Sequence, residues 1–359
     1  MGGWVAGGVN LPLPRIAIGT MPRNYMNFIR RLPIYLLIDV SESMAGPAID
    51  AIERGVKALI DSLKCDPTAI ETAFLSVITF SRKAKQVVPL TELLAFQPPR
   101  FAVRSGSALG AALRLLLKSI QRDVVKTTAK SKGDFRPLVF VLTDGQPTDD
   151  WEQAAEELRR ANSPRVANLY AIGCGPDVDP AVLRQVADIS LMMTDLTPEG
   201  FRKFFLWLSA SVQSASIKPD AEPGGFDHLP SGVYIPDANT PYDPTPRQVF
   251  LQARCQKTRK PYLMRFARRD RDGCYEAIVG HPLEYLETDA GDYLPPVSSA
   301  DLDGCPACPF CNNPVAGTCP CGTLFCSDRD SKATIVCPTC RSELISGPGG
   351  PVDIRQSMG

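Results

Sequence analysis

The sequence predicts an α/β fold: a doubly wound, mostly parallel sheet, followed by a small β-rich unit and a zinc-ribbon-like domain. Unbroken apolar runs at 34–38 and 138–142 are typical of strands that are buried on both faces of a parallel sheet. Segments with apolar residues at helical spacing alternate with these runs. Eight of the 12 cysteines lie between Cys305 and Cys340, which indicates metal binding rather than disulfides.

The first half of the chain alternates strand and helix patterns. After the strand at 34–38, Pro47 begins a helix whose apolar stripe runs from Ile49 to Leu63. Strands are predicted at 71–80, 86–90, 138–142, 166–172 and 191–193, and helices after 107, after 149–150, at 180–187 and at 199–212. Such alternation predicts one doubly wound sheet.

The second half has a different composition. Residues 218–225 are rich in proline, glycine and charge, as linkers are. Runs at 249–253, 262–266 and 275–279 predict three antiparallel strands. We expect six segments: 1–31, a disordered extension or an over-extended start; 32–215, the doubly wound domain; 216–246, a linker; 247–300, a small antiparallel β unit; 301–345, a cysteine-rich zinc-binding domain; and 346–359, a tail.

Composition limits the classes of partner. Lysine plus arginine and aspartate plus glutamate both number 39, so net charge favours neither nucleic acid nor membrane. No apolar run approaches the roughly 20 residues that span a bilayer. The N-terminal residues lack the pattern of a secretion signal, so we expect a cytoplasmic, reducing location.

Asp39, Ser41 and Ser43 follow the first buried strand as Asp-x-Ser-x-Ser. Alternate side chains of an extended segment point the same way, so these three oxygens can converge. Mg2+ takes oxygen ligands and keeps some waters, and this turn can supply half of its coordination shell. The alternative is a polar turn that caps the next helix.

Two more oxygens fall at the same edge of the predicted sheet. Ser107 precedes a helix with the pattern x-L-G-x-A-L, and Asp144 belongs to Thr-Asp-Gly at the end of the strand at 138–142. The set resembles the metal-ion-dependent adhesion site (MIDAS) of von Willebrand factor A (VWA) domains. The resemblance implies that Ser41, Ser43 and Ser107 ligate Mg2+ directly, and Asp39 and Asp144 largely through water. The family usually has threonine at the position of Ser107, and serine keeps the oxygen.

This predicted site is suited to binding rather than catalysis. Carboxylates and hydroxyls can leave one coordination position for an acidic side chain of a partner. The site includes no histidine, activated nucleophile or general base, so we predict no catalytic residues and no enzyme. Cys174, at the end of another strand on this edge, is expected to be a buried core residue, with a reactive thiol as the alternative.

The clustered cysteines predict one or two structural zinc ions. Two C-x-x-C turns, Cys308 with Cys311 and Cys337 with Cys340, form a zinc-ribbon pair for one Zn2+. Cys319, Cys321 and Cys326, with Cys305 as a candidate fourth ligand, form a possible second site. Cys255 and Cys274 are expected in the core, although further ligation by them stays open. Disulfides are the alternative that a reducing location disfavours.

Further residues extend the resemblance to a family. They are RLPIYLLID at 31–39, CQKTRKPYL at 255–263, Cys319-Pro320-Cys321-Gly322 and Phe325-Cys326. With these the chain resembles the TerY family of tellurium-resistance proteins. The resemblance implies a bacterial cytoplasmic adaptor in a tellurite-resistance and stress-response system, working with a Ser/Thr protein kinase and a PP2C-type phosphatase.

Nucleic-acid binding is the alternative function. Eight basic residues between Arg254 and Arg271, next to the zinc-ribbon pattern, could indicate nucleic-acid binding, with the VWA domain recruiting partners. The zero net charge and the alternating apolar residues favour the solvated face of a hairpin instead.

Overall fold

A computed structural model describes residues 30–129, 131–161, 168–217, 228–237, 245–283, 295–327, 335–344 and 350–356. The first sheet has seven strands: β1 (Leu32–Asp39), β2 (Ala73–Phe80), β3 (Ala84–Glu92), β4 (Leu138–Thr143), β5 (Asn168–Cys174), β6 (Ile189–Met193) and β7 (Val233–Tyr234). Six helices accompany it: α1 (Pro47–Leu63), α2 (Pro67–Thr72), α3 (Leu109–Asp123), α4 (Trp151–Arg160), α5 (Pro180–Val186) and α6 (Pro198–Ile217). The strand order is β3-β2-β1-β4-β5-β6-β7.

The predicted doubly wound sheet is confirmed. Strands β2, β1, β4, β5 and β6 are parallel, and the two edge strands β3 and β7 are antiparallel. Every residue of β1 is buried, because helices cover both faces of the sheet. Ile34, Leu36 and Ile38 pack on the side of α1 and α6. Tyr35 and Leu37 pack on the side of α3 and α4.

Gly55 permits the close contact between α1 and α6. A Cβ atom at this position would lie 2.1 Å from Cδ2 of Phe205, so a larger residue would push the two helices apart. This contact fixes the packing of α1 against α6, the two helices that cover one face of β1.

The second sheet has six strands: β8 (Gln248–Arg254), β9 (Pro261–Arg268), β10 (Tyr275–Pro282), β12 (Leu302–Asp303), β13 (Ala316–Thr318) and β14 (Leu324–Cys326). Their order is β12-β10-β9-β8-β14-β13. Two small ladders lie beside it, β11 (Val297–Ser298) with β17 (Asp353–Ile354) and β15 (Ile335–Val336) with β16 (Glu343–Leu344). The three strands predicted in the second half correspond to β8, β9 and β10.

Three of the expected segment boundaries differ from this architecture. The expected linker 216–246 contributes β7, which pairs with β6 through Tyr234 and Met192. The expected β unit 247–300 and cysteine-rich domain 301–345 share one sheet, because β14 pairs with β8 and β12 with β10. The expected tail 346–359 includes β17. Strands of two or three residues are too short to show a periodic pattern, which is why the sequence did not reveal them.

Residues 1–29, most of the expected N-terminal extension, lie outside the described residues. The guanidinium of Arg31 forms a bidentate salt bridge with the carboxylate of Asp134, with N–O distances of 2.8 and 2.6 Å. Within the part of the chain that the structure describes, none of the helices has the length and apolar character needed to cross a bilayer.

Candidate metal centres

The five predicted oxygen donors meet at the carboxyl edge of the first sheet. Asp39 ends β1, Ser41 and Ser43 follow it, Ser107 precedes α3, and Asp144 follows β4. These positions are neighbours because β1 and β4 are adjacent parallel strands, whose carboxyl ends lie at the same edge.

Asp39 is the buried centre of this cluster. Its Oδ2 accepts hydrogen bonds from the hydroxyls of Ser107 and Thr143, both at 2.7 Å, and its Oδ1 accepts one from the backbone N–H of Ser41 at 2.9 Å. Thr143 was not predicted as a site residue. Its place in Thr-Asp-Gly, one residue before Asp144, is the signal that could have identified it.

Asp144 completes the cluster from the opposite side. Its Oδ1 accepts a hydrogen bond from the Ser43 hydroxyl at 2.6 Å and lies 3.4 Å from the Ser41 hydroxyl oxygen. The hydroxyl oxygens of Ser41 and Ser43 are 2.9 Å apart. Five side-chain oxygen donors from three loops therefore surround one small volume.

The two carboxylates are placed where a cation would stabilise them. Burial raises the pKa of Asp39, although hydrogen bonds from Ser41, Thr143 and Ser107 partly oppose the shift. Burial, and then the negative charge of Asp39, raises the pKa of Asp144 well above its usual range. Two ionised carboxylates this close disfavour each other, and a divalent cation removes that cost. The donor set thus fits a hard cation.

A second layer of residues positions Ser107. The backbone N–H of Ser107 donates to the Thr148 hydroxyl at 3.2 Å, and the N–H of Thr148 donates to the Ser107 carbonyl at 2.9 Å. The carboxylate of Asp149 accepts hydrogen bonds from two backbone N–H groups in the first turn of α3, those of Gly110 and Ala111, both at 2.8 Å. Asp149 precedes α4, as predicted, and its side chain also caps α3, which the sequence did not predict.

Cys174 lies close to Asp144 and is buried, as expected. Burial, and then the negative charges of Asp144 and Asp39, raises the pKa of its thiol. The thiol is therefore protonated at neutral pH, which disfavours a nucleophilic role.

Eight cysteines form two groups of four in the second half of the chain. In each group the sulfur atoms all lie within 4.8 Å of one another, an arrangement that could hold a metal ion. The inner group is Cys255, Cys308, Cys311 and Cys326, and the outer group is Cys319, Cys321, Cys337 and Cys340. Three of the inner cysteines are buried, whereas Cys321 and Cys340 of the outer group are exposed.

These groups correct the predicted pairing. The predicted set of Cys308, Cys311, Cys337 and Cys340 is wrong, because its two turns belong to different groups. Cys305 lies in neither group, and its predicted place is taken by Cys255, for which ligation had been left open. The pairing of β14 with β8 explains this: it aligns Phe325 with Arg254, so Cys326 and Cys255 follow side by side.

Four similar turns carry the cysteines. In each turn the carbonyl of the first cysteine accepts a hydrogen bond at 2.8–3.1 Å from a residue with positive φ. The four donors are Arg259, Asn312, Gly322 and Arg341. The turn after Cys255 has Thr258 where the turn after Cys308 has Cys311, so this turn supplies one sulfur and Cys326 supplies the fourth. That likeness between 255–259 and 308–312 is the signal that could have identified Cys255.

Three of the eight basic residues in the segment 254–271 are paired with carboxylates or partly buried. Arg269 pairs with Asp272 and Asp303, and Arg271 lies 3.5 Å from the Asp272 carboxylate. Arg265 is half-buried against the oxygen cluster. This arrangement does not favour the nucleic-acid alternative.

Comparisons with known proteins identify both halves. A family model of the von Willebrand factor type A domain matches residues 34–199, and a model of the TerY-C metal binding domain matches residues 246–359. VWA domains are typically non-enzymatic interaction modules, and the TerY-C match agrees with two cysteine groups able to hold metal.

Two curated relatives match the first half. Matrilin-1 of Mus musculus is 26% identical over 178 residues, and the uncharacterized protein sll0103 of Synechocystis sp. is 27% identical over 165 residues. The matches cover 48% and 44% of this chain. The chain spans about a third of the length of these relatives, 34% and 36% respectively.

Solved structures with similar folds also cover about half of the chain. A von Willebrand factor type A protein of Catenulispora acidiphila is 21% identical, with a TM-score of 0.40, covering 51% of this chain and 43% of that one. Proximal thread matrix protein 1 from the mussel byssus, in a structure described as having a zinc-occupied MIDAS motif, is 18% identical, with a TM-score of 0.37, covering 51% and 48%. With its two matched domains in this order, the chain is a protein of TerY-type architecture.

Proposed function

We propose that the protein is a Mg2+-dependent adaptor that binds acidic side chains of partner proteins through its oxygen cluster. The observation that carries this proposal is the convergence of Asp39, Ser41, Ser43, Ser107 and Asp144 at separations of 2.6–3.4 Å. The cluster can neutralise one divalent cation and leave a coordination position for a carboxylate from outside.

The chemistry of the cluster supports magnesium as the ion. All five side chains offer oxygen, which Mg2+ prefers, and no sulfur or imidazole belongs to the set. Ser41, Ser43 and Ser107 would contact the ion, and Asp39 and Asp144 would hold its waters. A hydroxyl-rich first shell is weakly charged, so the ion keeps enough positive charge to attract a partner's acid.

For the cysteine groups we propose one Zn2+ each, in a structural role. Sulfur–sulfur distances are 3.5 Å between Cys311 and Cys326 and 3.5 and 3.7 Å within the outer group. A tetrahedral site with Zn–S bonds of about 2.3 Å requires an edge of about 3.8 Å, close to these values. Four thiolates complete the shell, so these sites have no position for a substrate.

The wider role is proposed from the family resemblance. We propose a cytoplasmic protein of a tellurite-resistance and stress-response system that works with a Ser/Thr protein kinase and a PP2C-type phosphatase. A reducing location suits the eight unpaired thiols of the two groups.

Isothermal calorimetry with Mg2+ tests the site. We expect Asp39→Ala to lose about 10- to 100-fold in Mg2+ affinity, because Asp39 holds both Ser107 and the waters of the ion. Asp61→Ala, an exposed site on α1, is the matched control and should bind Mg2+ normally. Unchanged Mg2+ affinity in Asp39→Ala would contradict the proposal.

Affinity capture from the native host tests the adaptor role. We expect a kinase or phosphatase to be captured by the wild-type chain in Mg2+, to be released by EDTA, and to be missed by Asp39→Ala. Capture that is equal with and without divalent ions would show that partners bind elsewhere.

A further inference from the structure

The second sheet covers the loops that carry the oxygen cluster. Alternate residues of a strand point to opposite faces. On one face, Leu251, Met264 and Phe266 pack toward the inner cysteine group. On the other face, Phe250 and Leu263 pack against Ala45, three residues after Glu42 in the loop that follows β1. Both faces of β8 and β9 are therefore buried.

An apolar contact seals one side of the cluster. Ala45 is 3% exposed and lies among Phe250, Leu263 and Leu283, with Val103 at the edge. Next to it, the imidazole of His281 approaches Gly46 so closely that a Cβ atom there would lie 2.5 Å from the ring. Gly46 also has a φ of 85°, which favours glycine. The loop after Ser43 is thus shaped to receive the second sheet.

Hydrogen bonds connect the first domain to the second sheet on either side of the apolar contact at Ala45. The amide of Gln252 donates to the buried carboxylate of Glu42, within the Asp-x-Ser-x-Ser sequence, at 2.5 Å. The carboxylate of Asp177 accepts hydrogen bonds from the backbone N–H of Arg247 at 3.0 Å and from the Gln248 side chain at 3.2 Å.

Arg265 occupies the space above the metal-binding oxygens. Its Nε donates to Gln248 at 2.7 Å, which directs the guanidinium toward the cluster. Arg265 and Gln248 line a cavity of about 40 Å³ together with Ser43, Asp144 and Asp177. Such a volume holds a few water molecules, and it is narrow for a carboxylate that remains attached to another chain.

We propose that the second sheet is an intramolecular cover of the oxygen site, so that a partner's acid reaches the metal only when this cover moves aside. The inference rests on the proposed function of that site. Among the described residues, the contacts that close it are one small apolar patch and a few hydrogen bonds, which is typical of interfaces between domains that move relative to each other. A partner, or an event on the TerY-C side, would shift the balance toward the open form.

Water access to bound Mn2+ tests the cover. The full chain, with its zinc in place, is titrated with Mn2+ alone, and water-proton relaxation is recorded at saturation. We expect weak relaxation enhancement in wild type and a several-fold rise in Gln252→Ala and in Arg265→Gln, with a larger radius of gyration in solution scattering. Arg271→Gln, which removes the same charge at an exposed site, is the control and should behave as wild type.

The outcomes separate the cover from the site. If Mn2+ binds through Asp39, and both variants match wild type in relaxation and in scattering, the cover is overturned and the metal site stands. If wild type and Asp39→Ala bind Mn2+ equally, the site is overturned, and the cover with it. Gln252→Ala changes no charge, so an effect in this variant cannot arise from altered attraction for the ion.

Discussion

The two metal-binding regions relate to their cores in opposite ways. The oxygen cluster lies at the rim of a sheet whose core is apolar and complete, with Ile34, Leu36 and Ile38 all fully buried beneath it. The inner cysteines are themselves part of the core of the second sheet, where Cys255 and Cys326 are fully buried beside Tyr262. We therefore expect the first domain to fold before it binds an ion, and the second to need metal to complete its core.

The difference also explains what each ion is suited to do. An ion at the rim of a finished core can exchange ligands without loss of structure. An ion enclosed by four thiolates has no free position, and its binding energy is folding energy.

Zinc removal should unfold one half of the molecule and leave the other folded. A strong chelator withdraws binding free energy of about 10 kcal/mol per structural zinc. Limited proteolysis should then cut within 246–356 and spare the body of 32–217, and elemental analysis should follow the loss of zinc. If the second half still resists protease after complete zinc loss, it does not need zinc to fold, and the difference from the first domain is contradicted.

Substitutions in the two cysteine groups should lower the free energy of unfolding by different amounts. Cys326→Ser removes a fully buried sulfur that also accepts the N–H of Gln256 at 3.2 Å, and we expect a loss of about 4 kcal/mol or more in unfolding free energy. Cys340→Ser, at an exposed sulfur, should cost about 2 kcal/mol. Denaturant titrations with zinc analysis measure both, and equal costs would contradict the distinction between inner and outer groups.

Without divalent ions, the first domain should lose stability as pH rises. The pKa values of Asp39 and Asp144 are raised in the folded state by burial, so between the unfolded value of about 4 and the higher folded values the folded state binds more protons. The stabilisation that these two carboxyl groups contribute is therefore complete at low pH, and it decreases as the pH rises through that window. Saturating Mg2+ should abolish this decline, because it favours the ionised carboxylates.

Denaturant midpoints at several pH values, in EDTA and in Mg2+, measure this effect. Asp39→Ala is the control: burial still raises the pKa of Asp144, but one titrating carboxylate and its repulsion of Asp144 are gone, so the pH dependence in EDTA should become weaker. A wild-type stability that rises with pH in EDTA would mean that the pair does not govern this window.

The smallest effect concerns the cap of α3. Asp149→Ala removes the acceptor for the N–H groups of Gly110 and Ala111, at a cost of about 1 kcal/mol in stability. Because Ser107 lies just before α3, Mg2+ affinity should also fall slightly. Asp150→Ala, whose side chain forms an exposed ion pair with Arg114 at 3.2 Å, is the neighbouring control and should change stability by less than about 0.5 kcal/mol.

The features that sequence predicted well have a local signature. The buried strands β1 and β4 are continuous apolar runs, and Asp39, Ser41 and Ser43 follow one of them directly, so fold class and oxygen cluster were both accessible. The cysteine grouping was not, because it depends on the parallel pairing of β14 with β8, between residues about 70 apart in sequence. Thr143 and Asp149 were missed because their partners are determined by tertiary structure, although both lie beside predicted site residues.

The two-sided burial of β8 and β9 has a mechanical consequence. One layer of backbone packs against the inner cysteine group on its far side and against the loop of the oxygen cluster on its near side. If the second sheet covers the oxygen site as proposed, a chemical change in the sulfur sites, whether oxidation or metal exchange, would also loosen the packing against Ala45 and Gly46. We therefore expect the metal status of the cysteine groups to affect partner access at the oxygen cluster.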